Sequence, residues 1–544
     1  MGNYIERKIS TGGMVLFLLT LFLLLFQPWQ VGFRELYWNE STYAAQAMEV
    51  FHGFPAARAH GELFGIDQPL FPMLTRGLWE LGVPMEFALR WLSLLPVLGI
   101  AIWIFMLAKS AAGNTAGGVA TAVWLTSNIL MEKATDGYPE LAAVFFIHTG
   151  WFLWFVLGQR YNSWNWAWIL AGVFAALAFY TNGFTALVYF IFPLIFMRRP
   201  LSIGQKLRRP GSLGALALVI IAILLWAIPY ARSAQSSIVY LDPNSLGSFY
   251  RHIWAFPLDL VWRLLPWSLI AWPVLCAAYR PLDPTPIFSR FLRTLFIASF
   301  FLLWFSPFHD VREMTLVIPS LAILIGINYS LLIRRHGTFY IKIVRVFPYL
   351  IALCAMVTAG FFLIPDHLIL PVLSSLDLNI ELMEYRHDWL PRANGIASAI
   401  LIFLIALYML YRRKDIPLWV AAALVMLSPM LFNWSVMRPY SVQKAAKRTW
   451  AEEMTTVLVP EDAAILYKWN ITGLYGECFY LGLPVQRITR LAELPADAQT
   501  VWLLATSYPQ YPDRVWTLLV ELPIQDAGLR LYRGVLHRSG GGTE

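Results

Sequence analysis

Residues 33–80 read FRELYWNESTYAAQAMEVFHGFPAARAHGELFGIDQPLFPMLTRGLWE. This polar stretch follows directly on an apolar run, Gly12 to Pro28, and many further apolar runs come after it. It sets Glu35, Asn39, Glu40, Arg58, Glu62 and Asp67 among aromatic residues of the kind that gather at a membrane surface. Ionisable groups beside a bilayer are costly to desolvate, so a cluster of them marks a loop kept for chemistry. The rest of the chain is read as a bundle of membrane helices that holds this loop.

The bulk numbers agree. The 544 residues are 58% hydrophobic and 14% charged, with mean hydropathy +0.58, which excludes an ordinary soluble domain. Apolar runs long enough to cross a hydrocarbon layer of about 30 Å recur along the chain. They fall near 12–29, 87–108, 114–131, 141–158, 166–180, 183–197, 213–230, 263–279, 294–308, 312–331, 346–364, 396–411 and 416–437. The pair 166–197 reads as two short spans or one re-entrant pair. Because Arg7 and Lys8 precede it and no small-x-small cleavage site follows, the first run reads as a retained signal anchor.

Net charge is +8, but the basic residues sit in short loops, which argues for topology and against nucleic acid. With the N-terminus in the cytoplasm, Lys109, Arg160, Arg198, Lys206, Arg208, Arg290, Arg334 and Arg412 all fall in inner loops. About thirteen spans then place the C-terminus outside. The organisation expected is a transmembrane domain over 1–437, with its first outer loop at about 30–86, and an extracytoplasmic domain over 438–544. In that tail QKAAKRTWAEEM reads as an amphipathic helix, and AAILYKWN, CFYLGLPVQRI, TVWLLATS and GLRLYRGVL as strand-rich runs, which together make a small α/β domain. It carries no GxGxxG and no GxxxxGK[ST] loop, so if the chain is a transferase a cytosolic nucleotide sugar is not its expected donor. The three cysteines form no disulfide or zinc pattern.

Several stretches in order resemble the C-type (GT-C) polyprenyl-phosphate-sugar glycosyltransferases, the superfamily of the protein O-mannosyltransferases and the lipid A aminoarabinose transferase. They are WNESTYAAQAMEVFHG and GIDQPLFPML in the first loop, then FYTNGFTALVYFIFP, LLPWSLIAWPVL and FSPFHDVREMTLVIPSLAIL. Three positions depart from the family pattern. Asn39 stands where the family has an acidic residue, Asp67-Gln68-Pro69 stands for Glu-Lys-Pro, and Asn182-Gly183 stands for Lys-Gly. The resemblance implies a polytopic α-helical membrane protein of the GT-C fold with a small outer C-terminal domain. It also implies transfer of a sugar from a polyprenyl (undecaprenyl) phosphate to a lipid, glycan or protein hydroxyl, by inversion, at the periplasmic face of a bacterial inner membrane.

Under that resemblance Glu40 is the candidate base, and Asn39 orients substrate. Glu140 or Asp136 supplies the second carboxylate, with Glu140 preferred because it directly precedes an apolar run. The departing phosphate needs positive charge. Arg58, Arg251, Arg312 and Lys133 are the candidates, with Tyr43 and Tyr138 as hydrogen-bond donors; Asp67, Gln68 and His309 complete the substrate loop. Carboxylates can also hold a divalent cation, though nothing in the sequence requires one. Each residue also has a plainer role. Asn39 suits the N-cap of a helix starting at Glu40, Asp67 and Asp136-Gly137 suit turns, and Arg251 and Arg312 suit snorkelling at the interface. Three rivals are an oligosaccharide transferase using a diphosphate-linked carrier, a lipid-linked-sugar transporter and a non-catalytic scaffold of glycan assembly.

Overall fold

The computed structural model describes residues 10–37, 39–50, 58–63, 68–198, 200–233, 245–276, 282–306, 311–375, 387, 389–412, 416–438, 447–458, 464–471, 473–522 and 528–537. Asp67 and His309 lie outside these ranges. The chain divides into two compact units. One comprises Met1–Arg34, Arg90–Leu224 and Ile238–Lys444; the other comprises Glu35–Leu89, Leu225–Ser237 and Ala445–Glu544.

The first unit is a bundle of apolar helices. Among the described residues nine helices are long and apolar enough to cross a membrane, or ten if the sharply bent pair Phe249–Arg263 and Ser268–Leu275 is one span. The remaining apolar runs are helical too but shorter or broken. Thr11–Phe26 has 16 residues, and the run at 114–131 divides into Asn114–Leu125 and Asn128–Lys133. The run at 166–197 lies within Trp164–Phe196, which leaves helical geometry at Asn182 and Gly183.

That break is a reversal. Gly150, on the helix Glu140–Gln159, lies against both Phe174 and Phe190. Sixteen residues of straight helix would hold those two about 24 Å apart, too far to share one glycine. Trp154 likewise packs on Trp164 and Trp168, while Lys206, bonded to the Leu194 carbonyl, reaches over its ring. The segment is therefore a helical hairpin with its tip at Asn182-Gly183. Gly183 has φ +65° and ψ −150°, a conformation that a residue with a Cβ adopts only under strain.

Small residues let the helices of this unit approach closely. A Cβ on Gly326 would lie 2.4 Å from the Ala116 carbonyl oxygen, and one on Gly172 would lie 2.7 Å from the Ala215 Cα. Buried tryptophans then bridge helices through their indole N–H groups. Trp124 donates to the Val97 carbonyl, Trp151 to the Phe190 carbonyl, Trp267 to the Thr126 hydroxyl and Trp434 to the Leu25 carbonyl. In an apolar medium an unmet indole donor is costly, so each bond fixes a helix pair as well as a rotamer.

In the second unit a five-stranded mixed sheet has the order β4-β3-β5-β7-β6, with β3 Leu466–Trp469, β4 Val485–Ile488, β5 Thr500–Ala505, β6 Arg514–Leu522 and β7 Leu529–Leu536. β3 runs parallel to β4 and β5, whereas β7 is antiparallel to β5 and β6. Alternate residues feed two cores. Leu466, Leu504 and Leu531 pack with Trp450, Met454 and Cys478 from the helices Lys447–Leu458 and Tyr475–Leu481, and Tyr467, Leu503 and Tyr532 pack with Trp516 on the opposite face. The same unit holds the helix Glu40–Glu49 and a hairpin of two short strands, β1 Arg58–Ala59 and β2 Glu62–Leu63.

Candidate active site

The charged side chains of the first unit collect where its helices end. Arg34 follows the helix Thr11–Phe26, Asp136 precedes Glu140–Gln159, Arg312 lies in the 3₁₀ turn Val311–Val317, and Arg438 closes the run that begins with Leu418–Phe432. Asp136 sits between two of these cations. One oxygen accepts from Arg34 at 3.3 Å and the other from Arg312 at 3.2 Å. The Arg312 guanidinium also lies over the Tyr138 ring, 3.4 Å from its centre. Arg438 donates to the Thr135 hydroxyl next to Asp136 and stacks on Trp434. Two guanidiniums thus pair with one carboxylate, and a third bonds the hydroxyl of the residue before it.

The backbone explains why the cluster forms. In the 133–138 turn the Tyr138 N–H bonds the Asp136 carbonyl and the Ser93 hydroxyl, and that hydroxyl donates to the Tyr138 carbonyl. Buried Arg90 donates to the carbonyls of Val31 and Arg34, so a fixed cation holds the turn that presents Arg34. Beside Arg312, Glu313 is buried and accepts from the Asn182 amide at 3.1 Å and from the Tyr189 hydroxyl. The tip of the helical hairpin is thereby tied to the turn carrying Arg312.

Of the other residues expected in this unit, Glu140 is buried in the first turn of its helix, and Arg251 is exposed. Lys133 pairs with Glu132 at 2.7 Å, and Arg263 reaches the same carboxylate at 3.1 Å. Burial pushes Glu132 up, but the hydrogen bonds and charges of Lys133 and Arg263 outweigh it and hold the group below the usual carboxylate range. Lys133 is therefore committed to a local ion-pair network.

In the second unit Glu40 is fully buried and its carboxylate accepts the Tyr37 N–H at 2.9 Å. Asn39 does not act as the expected N-cap. It is exposed, its backbone is already helical, and no side-chain cap bond forms, because the Glu40 carboxylate reaches back to the preceding chain instead. Tyr43 meets Phe71 edge to face, Gln68 is buried, and Arg58 is half-buried in β1. Glu35 accepts the backbone N–H groups of both Lys447 and Arg448, and Glu86 accepts from the Arg448 side chain and the Tyr480 hydroxyl. The turn between β1 and β2 places His60 and Gly61 at positive φ, with both their N–H groups on the Glu49 carboxylate. Burial, then the nearby Lys468 charge, lowers the His60 pKa to about 3.

Sequence reasoning named Arg312, Asp136 and Tyr138 separately, and the structure brings them together. It did not single out Arg34, Glu313, Arg438 or Arg90. Arg90 and Glu313 stand at the start of an apolar run and Arg438 just after one, which was the available signal. Among the described residues no group of three or more His, Cys, Asp or Glu comes together as a metal site.

The helical bundle and the sheet unit have an ArnT-like GT-C fold. The chain matches ArnT from Cupriavidus metallidurans bound to undecaprenyl phosphate with TM-score 0.69 and 15% identity, over 96% of this chain and 98% of that one. It matches the apo state of the same protein with TM-score 0.67 and 16% identity over the same shares. No protein-family model and no curated protein sequence matches the chain.

Proposed function

We propose that the protein is a membrane glycosyltransferase that moves a sugar from a polyprenyl phosphate to a hydroxyl of a lipid, glycan or protein, at the outer face of a bacterial inner membrane. The observation that carries this reading is the pairing of Arg34 and Arg312 with Asp136, with Arg438 bonded to the adjacent Thr135. Guanidiniums gathered at the helix ends suit a lipid phosphate, whose negative charge grows as its bond to the sugar breaks. Likeness of fold to a protein crystallised with undecaprenyl phosphate supports the same class of donor.

In this scheme Glu40 takes the proton of the acceptor hydroxyl as that oxygen attacks the anomeric carbon. The carbon–oxygen bond to phosphate breaks, its electron pair leaves on the phosphate, and the anomeric centre inverts. A carboxylate withheld from water is the stronger proton acceptor, which suits the burial of Glu40. Both oxygens of Asp136 are engaged by guanidiniums, so Asp136 organises the cations, and Glu140 is left as the second carboxylate of the reaction.

Binding of undecaprenyl phosphate by the purified protein, read by thermal shift, tests the proposal. Wild-type protein is stabilised, and Arg312→Gln weakens the apparent affinity about tenfold or more, as loss of a charged hydrogen bond requires. Equal stabilisation by undecaprenol, which lacks the phosphate, overturns it. Glu40→Gln keeps the lipid bound and loses transfer in reconstituted membranes; full transfer in that variant removes Glu40 as the base.

A further inference from the structure

The helical hairpin and the helix Pro210–Ser233 enclose a groove of about 380 Å³ at the end of the bundle opposite the hairpin tip. Gly172 and Ala175 of the first arm, Leu194 and Ile195 of the second, and Leu216 and Val219 of the following helix form its carbon walls. Two polar features interrupt them. The Trp168 indole nitrogen is buried with no acceptor among the described residues, and Lys206 and Ser212 stand at the rim. Lys206 is spent on the structure, since it is buried and donates to the Leu194 and Met197 carbonyls at the end of the second arm.

The rim itself is strongly basic. From Met197 to Ser212 the chain reads MRRPLSIGQKLRRPGS, with no acidic residue. Arg208 and Arg209 are both exposed, and in the chain they lie between Lys206 and Ser212, which line the groove. An apolar channel that opens beside exposed arginines on a membrane helix bundle matches one kind of molecule, with a hydrocarbon tail and an anionic head.

We propose that this groove is a binding site for an anionic diacyl phospholipid, with one acyl chain between the hairpin and the helix Pro210–Ser233 and its phosphate on Arg208 and Arg209. The volume takes a single acyl chain rather than a long polyprenyl tail, and the Trp168 N–H supplies a donor for the lipid's ester carbonyl. The site is separate from the Asp136 cluster, at the other end of the same helices, and it stands whether or not the protein transfers sugar.

Native mass spectrometry of the delipidated full-length protein, with phosphatidylglycerol or phosphatidylcholine of identical chains, tests it. Phosphatidylglycerol is retained at least tenfold better by the wild type. Arg208→Gln combined with Arg209→Gln abolishes that preference while leaving the melting temperature unchanged. Val219→Trp, which fills the groove without touching the rim, lowers retention of phosphatidylglycerol. Equal retention of the two lipids, a preference that survives the double substitution, or undecaprenyl phosphate displacing phosphatidylglycerol at equal concentration overturns the proposal.

Discussion

The amide of Asn182 donates to a carboxylate oxygen of Glu313 at 3.1 Å, across 131 residues of chain. The bond fastens the tip of the helical hairpin to the turn that presents Arg312. Tyr189, on the returning arm, takes the second oxygen at 2.5 Å, so one carboxylate secures both sides of the reversal.

Glu313→Ala leaves Asn182 and Tyr189 without this acceptor and lowers stability by on the order of 3 kcal/mol, with Glu313→Gln losing about half as much. Melting temperatures in detergent measure the difference. An unchanged value in the alanine variant would show that the anchor contributes nothing.

Gly183→Ala forces a Cβ into a backbone region that only glycine occupies freely, at φ +65° and ψ −150°. The expected loss is about 1–3 kcal/mol. Asn182→Ala keeps the backbone and loses only the side-chain bond, so comparing the two separates the strain of the turn from its anchoring.

Glu35→Ala removes the acceptor of two N–H groups at the start of the helix Lys447–Leu458. Loss of such a cap costs about 1–2 kcal/mol. Amide hydrogen exchange over 447–451 should speed up in the variant while exchange in β5 is unchanged.

His60 makes the second unit sensitive to acid. Its pKa is lowered to about 3 in the folded chain by burial and then by Lys468, against 6.5 for the ordinary group. The unfolded chain therefore binds the extra proton between those values, and stability present above pH 6.5 is lost as pH falls toward 3, by on the order of 5 kcal/mol in all. His60→Asn accepts the same positive φ and removes the titrating ring. Its melting temperature should fall less than that of the wild type between pH 7 and pH 5.

The bundle was legible because membrane helices write themselves in hydropathy, and every apolar run contains helix among the described residues. Even the ambiguous 166–197 segment carried its own answer in Asn182-Gly183, a pair that breaks a helix. The site was legible only in part. Arg312 and Asp136 stand 176 residues apart, and nothing local in either stretch says that they share an ion pair. Arg34 is one charge among several in its stretch of sequence, and only the Arg90 clamp on its carbonyl gives it a fixed position. The N-cap expected at Asn39 failed because capping rules see only neighbouring residues, whereas the reach of the Glu40 side chain back to Tyr37 decides the local bonding.

The partners of Glu35 arrive 412 residues after it. A ribosome making this protein releases the segment with Glu40 long before the chain that completes its surroundings has been synthesised. The loop must therefore wait, unfinished, until the last fifth of translation, and a chain stopped short of Lys447 would form its helices yet never close the surroundings of Glu35.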